Sequence, residues 1–284
     1  MRVIKQSFFT HIFGTSPQIP TRAAPKKSGY TRGRMTVPTA ALRDAIRRLL
    51  DPDSPSDALA SYYALYHDPG RTEIFVYPEN SARPEGFLVR ARTGHDLFRP
   101  LVTFRALEEA AALDLFRRGL PAFQPVYFAI PEALAGPIHK HLQVTDAAMM
   151  LIMALDSRQY EPIINVLVTV ERSPDGLARY EIRSGDKVQA AAGLNWRSSE
   201  FGELYVYTEA AVRGRGWGKS VASALAGDLL RMGVRPLYVV EESNTASIRL
   251  AESIGFRDTG FREYAGQAIL SSNAEHLPRT QVPW

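Results

Sequence analysis

The stretch whose reading decides the fold is Glu203-Leu-Tyr-Val-Tyr-Thr-Glu-Ala-Ala-Val-Arg-Gly-Arg-Gly-Trp-Gly-Lys-Ser220. Leu204 to Thr208 is apolar, aromatic and β-branched, which predicts a strand. Lys219 to Met232 carries Val221, Leu225 and Leu229 four apart and is followed by Gly233, which predicts an amphipathic helix with a glycine stop. Between them lie Gly214, Gly216 and Gly218. Strand, glycine loop and helix in that order turn successive backbone N–H groups and a helix N-terminus toward an anion. Arg213, Arg215 and Lys219 bring positive charge to the same place. A diphosphate-bearing cofactor is the ligand such a loop suggests.

Spacing narrows the choice. A nucleoside-triphosphate loop needs Gly, four residues, then Gly-Lys-Ser/Thr. Gly218-Lys219-Ser220 supplies the end, but Arg213 stands where the first glycine belongs. A dinucleotide loop needs Gly-x-Gly-x-x-Gly, and here the third glycine comes one residue early. The pattern present is Arg213-x-x-Gly216-x-Gly218, which resembles the pyrophosphate loop of the GNAT superfamily, the acyl-CoA-dependent N-acyltransferases. A second segment strengthens the likeness. Glu242-Ser-Asn-Thr-Ala-Ser-Ile-Arg-Leu-Ala-Glu-Ser-Ile-Gly-Phe256 is similar to that superfamily's Asn-x-x-(small)-x-x-Leu-x-x-x-x-Gly-Phe segment, in the right order and at a family-like interval. The resemblance runs from about Ile163 to Ser272 and points to the glycine N-acyltransferase-like branch.

The resemblance implies how acetyl-CoA or another acyl-CoA would sit. Backbone N–H groups of Gly214, Arg215, Gly216, Trp217, Gly218 and Lys219 would take the pyrophosphate, with Ser220 next in the helix and the Arg213 and Arg215 guanidinium groups adding charge. Val206 and Thr208 would pair through their backbones with the pantetheine amides, as an added strand does. Asn244 stands where such enzymes contact the pantetheine arm; it is equally a good helix N-cap, with Ser247 at the third helical position.

Acyl transfer to an amine needs a proton acceptor, because an amine is protonated at neutral pH. Glu203 is the first choice: it opens the organising strand, and glycine N-acyltransferases place a glutamate near there. Glu200, Glu241 and Glu242 are alternatives. Many GNAT enzymes carry a tyrosine as general acid after the leucine of the last helix, where this chain has Leu250-Ala251. Ser247, Tyr264 or a water would then return the proton, or the thiolate leaves unaided. Trp196, Tyr205, Tyr207 and Trp217 either line an acceptor pocket or pack in the core. His139 and His141, two apart in a predicted helix, point to different faces, which predicts surface placement and no metal site.

The first 35 residues carry seven Lys/Arg and no Asp or Glu. Without them the chain holds 27 basic residues against all 30 acidic ones, so the net charge of +4 belongs to this stretch and the body is near −3. Residues 1–35 read as a basic disordered tail, either a leader upstream of Met35 or a nucleic-acid arm, the leader being preferred. There are no cysteines, so disulfides, thiolate metal sites and an acyl-cysteine intermediate are excluded. No apolar run reaches the roughly 18 residues that span a bilayer.

Residues 36–155 alternate helices and short strands: helices at 38–50, 57–66, 107–118 and 131–141, and strands at 73–77, 86–92, 101–104, 126–130 and 147–155. That order predicts a degenerate GNAT-like domain, since no glycine lies between Phe104 and Leu107 to form a phosphate cradle. After a linker at 156–161, the acyl-CoA-binding domain spans 162–284, with strands at 163–170, 178–183, 188–196, 204–208 and 237–240 and a final pair at 257–264 and 267–270. The expected fold class is α+β, a mixed and mostly antiparallel sheet flanked by helices, in two tandem GNAT-like lobes. The expected activity is direct acyl transfer, acetyl transfer first of all, from acyl-CoA to a primary amine of a small molecule or peptide, in the cytoplasm. No metal, membrane or nucleic-acid partner is expected, and a homodimer is left open. The alternative is a non-catalytic acyl-CoA binder or sensor.

Overall fold

The computed structural model describes residues 39–94, 96, 98–172 and 177–270. The basic stretch 1–35 lies outside them. Helix α1 (Ala40–Arg47) begins at Thr39, whose Oγ1 accepts from the Leu42 N–H. A short helix α2 (Ala58–Ser61) passes directly into a π-helical turn (Tyr62–Tyr66). Strands β1 (Thr72–Tyr77), β2 (Gly86–Ala91) and β3 (Leu101–Arg105) form an antiparallel meander. Helix α3 (Glu109–Gly119) then crosses to β4 (Val126–Pro131), which runs parallel to β3. Helix α4 (Ala135–His141) leads into β5 (Leu142–Leu155).

The second half repeats the sequence of steps. Strands β6 (Thr169–Arg172), β7 (Ala178–Ser184), β8 (Lys187–Arg197) and β9 (Phe201–Thr208) form an antiparallel meander. Helix α5 (Trp217–Arg231) crosses to β10 (Arg235–Glu241), parallel to β9. Helix α6 (Thr245–Ile254) leads into β11 (Phe256–Leu270).

Among the described residues, eleven strands join one sheet in the order β1-β2-β3-β4-β11-β5-β10-β9-β8-β7-β6. The two long strands change sides: β5 pairs with β10 of the second half, and β11 pairs with β4 of the first. They meet each other at the middle, where Met150 stands opposite Glu263. The sheet therefore runs without a break across residues 156–161.

Side-chain alternation assigns the two faces. Along β4, Val126, Phe128 and Ile130 pack with α3 and α4, whereas Tyr127 and Ala129 point the other way. Along β5, Met153 packs under α5 and α6, while Met150 and Ile152 join Tyr127 and Ala129 beneath α1, α2 and the π-turn. Phe87, Phe104, Phe116, Phe128 and Trp196 are among the largest fully buried side chains; each contributes roughly 1.5–3 kcal/mol by leaving water.

Three local expectations are corrected. The β-branched run 163–170 is not a strand until Thr169: Ile164 and Val166 are 92% and 94% exposed. This segment is strapped along α5 instead, through Tyr160 Oη to the Ser223 carbonyl (2.8 Å), the Ile163 N–H to Ser223 Oγ (3.1 Å) and Asn165 Nδ2 to Ser220 Oγ (3.1 Å). Side-chain bonds to a helix outweigh strand propensity there. The expected pair of final strands is one strand, β11, with register shifts after Asp258 and after Ala265. His141 is buried rather than on the surface, packed beside Phe116.

Candidate functional site

Strands β9 and β10 pair only at Phe201 with Arg235, Gly202 with Pro236 and Glu203 with Leu237. Both continue, to Thr208 and to Glu241, without pairing again. From Leu204 onward β9 keeps β8 on one side and an open edge on the other, and the two parallel strands enclose a wedge with Glu203 at its apex. Unpaired main-chain groups along such an edge are what an extended ligand pairs with.

The N-terminus of α5 closes on the end of β9 because position 218 has no side chain. A Cβ on Gly218 would lie 2.5 Å from Thr208 Oγ1 and 3.2 Å from Leu250 Cδ1. Before it, Gly214 and Gly216 both take left-handed conformations, φ 82° and 76°, with open space around each. Gly216 is the N-cap of α5 and provides no side-chain bond, so the first helical N–H groups remain free to meet an anion. Arg213 reaches back to the Thr208 carbonyl (3.4 Å), and Arg215 lies over the Trp217 ring at 5.4 Å. Among the described residues, Arg213, Arg215 and Lys219 make no ion pair. Ser220 faces inward: its hydroxyl donates to the Gly216 carbonyl (3.1 Å) and accepts from Asn165.

Glu203 is 1% exposed, and its two oxygens accept from Asn195 Nδ2 at 2.6 Å and Trp196 Nε1 at 2.7 Å. Burial raises its pKa to about 7, and these two bonds hold it from rising further. With Leu194 opposite Leu204 the register sets Asn195 beside the carboxylate, and the bulge in β8 between Leu194 and Trp196 brings Trp196 to it as well. Trp196 stacks on Tyr62 of the π-turn at 5.4 Å and belongs to the core. Of the alternative acids, Glu200 accepts from Tyr66 Oη, and Glu242 pairs with Arg262.

Asn244 caps α6 through Oδ1, which accepts from the Ser247 N–H at 3.2 Å. The Ser247 hydroxyl lies 2.6 Å from Tyr238 Oη. Burial raises the Tyr238 phenol, and its hydrogen bond to Ser247 opposes that rise. Ala251 is fully buried between α6 and the sheet. Tyr264 lies elsewhere: on β11, three strand spacings from β9 (roughly 14 Å), packed on Phe128 and His139. The fold thus brings Glu203, Val206, Thr208 and the 213–219 loop to one wedge, sets Asn244 and Ser247 at the start of the helix that follows β10, and leaves Tyr264 apart. Among the described residues no three His, Cys, Asp or Glu side chains form a metal-binding group.

Residues 180–265 match the family model described as FR47-like protein. No curated protein matches the sequence. Solved structures do match. A GCN5-related N-acetyltransferase from Sphaerobacter thermophilus superposes with a TM-score of 0.56 at 13% identity, covering 84% of this chain and 95% of that one. A GNAT-family protein from Novosphingobium aromaticivorans gives 0.52 at 21% identity, covering 65% and 89%. A GNAT-family acetyltransferase from Colwellia psychrerythraea gives 0.51 at 11%, covering 80% and 97%. The chain has the GNAT acyltransferase fold.

Within this GNAT fold, sequence reasoning missed three polar side chains. Asn195 lies in a strand that reads as apolar, and only the pairing of β8 with β9 shows that it faces Glu203. Tyr238, inside Leu237 to Val240, reads as a core aromatic although its hydroxyl serves Ser247. Glu263 sits between Arg262 and Tyr264 and reads as surface charge, yet it is 6% exposed. A glutamate on the apolar phase of a long central strand was the available signal.

Proposed function

We propose that this protein is an acyl-CoA-dependent N-acyltransferase, acetyl-CoA being the first donor to test and a primary amine the acceptor. The observation that carries the reading is the wedge between β9 and β10 opening beside an uncapped, glycine-led helix N-terminus with three cations that make no ion pair among the described residues. The pyrophosphate lies on the N–H groups of residues 214–219 with Arg213 and Arg215 beside it, and the pantetheine runs along Val206 to Thr208. Glu203 at the apex takes one proton from the acceptor ammonium. The freed nitrogen attacks the thioester carbonyl, the C–N bond forms, the C–S bond breaks, and the second nitrogen proton leaves with the thiolate as the CoA thiol. Ser247, joined to Tyr238 on the wedge side, relays that second proton: its hydroxyl gives one to the thiolate and takes the one leaving nitrogen. Residues 39–155 form a second GNAT-like unit that has lost its phosphate loop, the reading favoured by the repeated order of meander, parallel crossover and long strand.

The test is thiol release from acetyl-CoA across a panel of primary amines, with CoA binding measured in parallel. Arg213→Ala combined with Gly216→Val is the control, and failure of wild-type protein to bind CoA would sink the proposal. A second reading, acyl-CoA binding without turnover, draws on Ala251 in place of a tyrosine and on the closure of Glu203. Tight CoA binding with no thiol release from any amine selects it.

A further inference from the structure

Helix α5 packs on one face of β7, β8 and β9, above Tyr180, Ile182, Ala192 and Leu204. The residues between them turn to the other face: Arg179, Glu181 and Arg183 on β7, Gly193 on β8, and Glu203 and Tyr205 on β9. Glu181 is 4% exposed and is held by both arginines, by Arg179 Nε at 2.7 Å and by Arg183 Nη1 at 2.6 Å. Two cations share one carboxylate, so the cluster is positive by one charge. Arg183 gives a second nitrogen to the Asp186 carbonyl (2.6 Å). Arg179 has no such outlet. Its contact with Glu181 is an ion pair without hydrogen-bond alignment, and among the described residues its guanidinium makes no hydrogen bond. The side chain is 29% exposed.

Tyr205 reaches across β8 toward it. The ring lies on Gly193, where an added Cβ would stand 2.5 Å from Oη and 2.6 Å from Cζ. Gly193 is paired with Tyr205 on one side. On its other side the pairing of Ala192 with Tyr180 sets it beside Arg179, on the adjacent strand. Tyr207 spends its hydroxyl on Glu209 (2.7 Å), whereas Tyr205 Oη makes no hydrogen bond among the described residues. Burial holds the Tyr205 phenol above its ordinary pKa, so it stays protonated and able to donate. Glu203 leans over the same strand, onto Asn195, two residues from Gly193. The Glu203 carboxylate and the Tyr205 hydroxyl are therefore roughly 7 Å apart along β8.

Building on the acyl-transfer reading, we infer that Arg179 and Tyr205 bind a carboxylate at the far end of the acceptor, whose amine lies at Glu203. One guanidinium and one neutral hydroxyl suit a monoanion, and both present donors. The spacing sets the class of acceptor: an amino acid with several carbons between nitrogen and carboxylate, such as an ω-amino acid. An α-amino acid, with one carbon between them, spans too little to reach both ends. Gly193 serves this site by letting the Tyr205 hydroxyl lie over β8.

The experiment is calorimetric titration of the full chain, saturated with CoA at pH 7, with 6-aminohexanoate, n-hexylammonium and 1,6-diaminohexane, and with glycine against methylammonium as the short pair. Wild type should bind 6-aminohexanoate at least about tenfold more tightly than n-hexylammonium. The diamine should gain nothing over n-hexylammonium, nor glycine over methylammonium. Arg179→Gln leaves Arg183 on Glu181, and Tyr205→Phe keeps the ring on Gly193. Each should cut the preference for 6-aminohexanoate, to within about threefold in Arg179→Gln, with Arg179→Lys restoring part of it and CoA affinity unchanged throughout. Equal binding of 6-aminohexanoate and n-hexylammonium by wild type, or a preference kept in full by Arg179→Gln, overturns the inference and leaves acyl transfer standing. Absence of CoA binding by wild type overturns both.

Discussion

Two parallel crossovers face each other across the centre of the sheet, and they differ in what joins strand to helix. Between β3 and α3 the chain takes three residues, Ala106 to Glu108; between β9 and α5 it takes eight, Glu209 to Gly216. Both strand pairs splay. β3 and β4 pair only at Leu101 with Tyr127 and Val102 with Phe128, much as β9 and β10 part after Glu203. Beside the first wedge Phe104 packs edge-on against Phe116 at 5.0 Å, and its helix begins with Glu108 and Glu109, which repel an anion. The second is bordered by glycines and cations. Splaying is thus a property of the fold, and the two wedges differ in the residues placed at their mouths.

The largest test of that contrast concerns the apex. Glu203→Gln should lower kcat by about 10²–10⁴ with CoA binding retained, and the wild-type kcat/KM should rise with pH around a midpoint of about 7, the value burial gives this carboxylate. Steady-state kinetics from pH 5.5 to 9 checks both. Equal activity of the glutamine variant would break the comparison, since the second wedge would then hold no chemistry that the first lacks.

Next comes the mouth. Replacing Arg213 and Arg215 together by alanine should weaken CoA binding by roughly 10–100-fold and flatten its dependence on salt, measured by calorimetry at two ionic strengths. A smaller effect concerns stability. Free carboxyls lose their protons near 4.5, whereas Glu203 and Glu263 keep theirs until about 7 and about 8. Between these values the native state holds more protons than the unfolded state, so stability falls as pH rises, at no more than about 1.4 kcal/mol per pH unit for each group. Urea unfolding at pH 5, 6, 7 and 8 should show this slope, and Glu263→Gln should lessen it. The smallest effect belongs to the first half: Leu107→Ser at the exposed short loop should change CoA affinity and stability by less than about 0.5 kcal/mol.

What the sequence disclosed was local. The glycine loop and the Asn244 cap each depend on residues within a few positions, and each stands where the spacing put it. What it hid depends on distant partners. Nothing near residues 256–270 shows that they pair with residues 126–131, and without that pairing Glu263 reads as a solvated charge. Ile163 to Val170 has the composition of a strand, but Tyr160 and Asn165 fasten it to a helix some 60 residues later in the chain. Asn195 meets Glu203 through the register of β8 on β9, and a bulge turns Trp196 to the same carboxylate where strict alternation would send it to the opposite face.

The exchange of β5 and β11 also governs the order in which the molecule can be made. As the chain leaves the ribosome, the edge of β4 has no partner until residues 256–270 follow, and an open edge is a template for unwanted pairing. Neither half can be cut away as an independent module, because each would lose a central strand to the other. A clip in the linker after Leu155 would instead leave two fragments that complete one another's sheets and stay together.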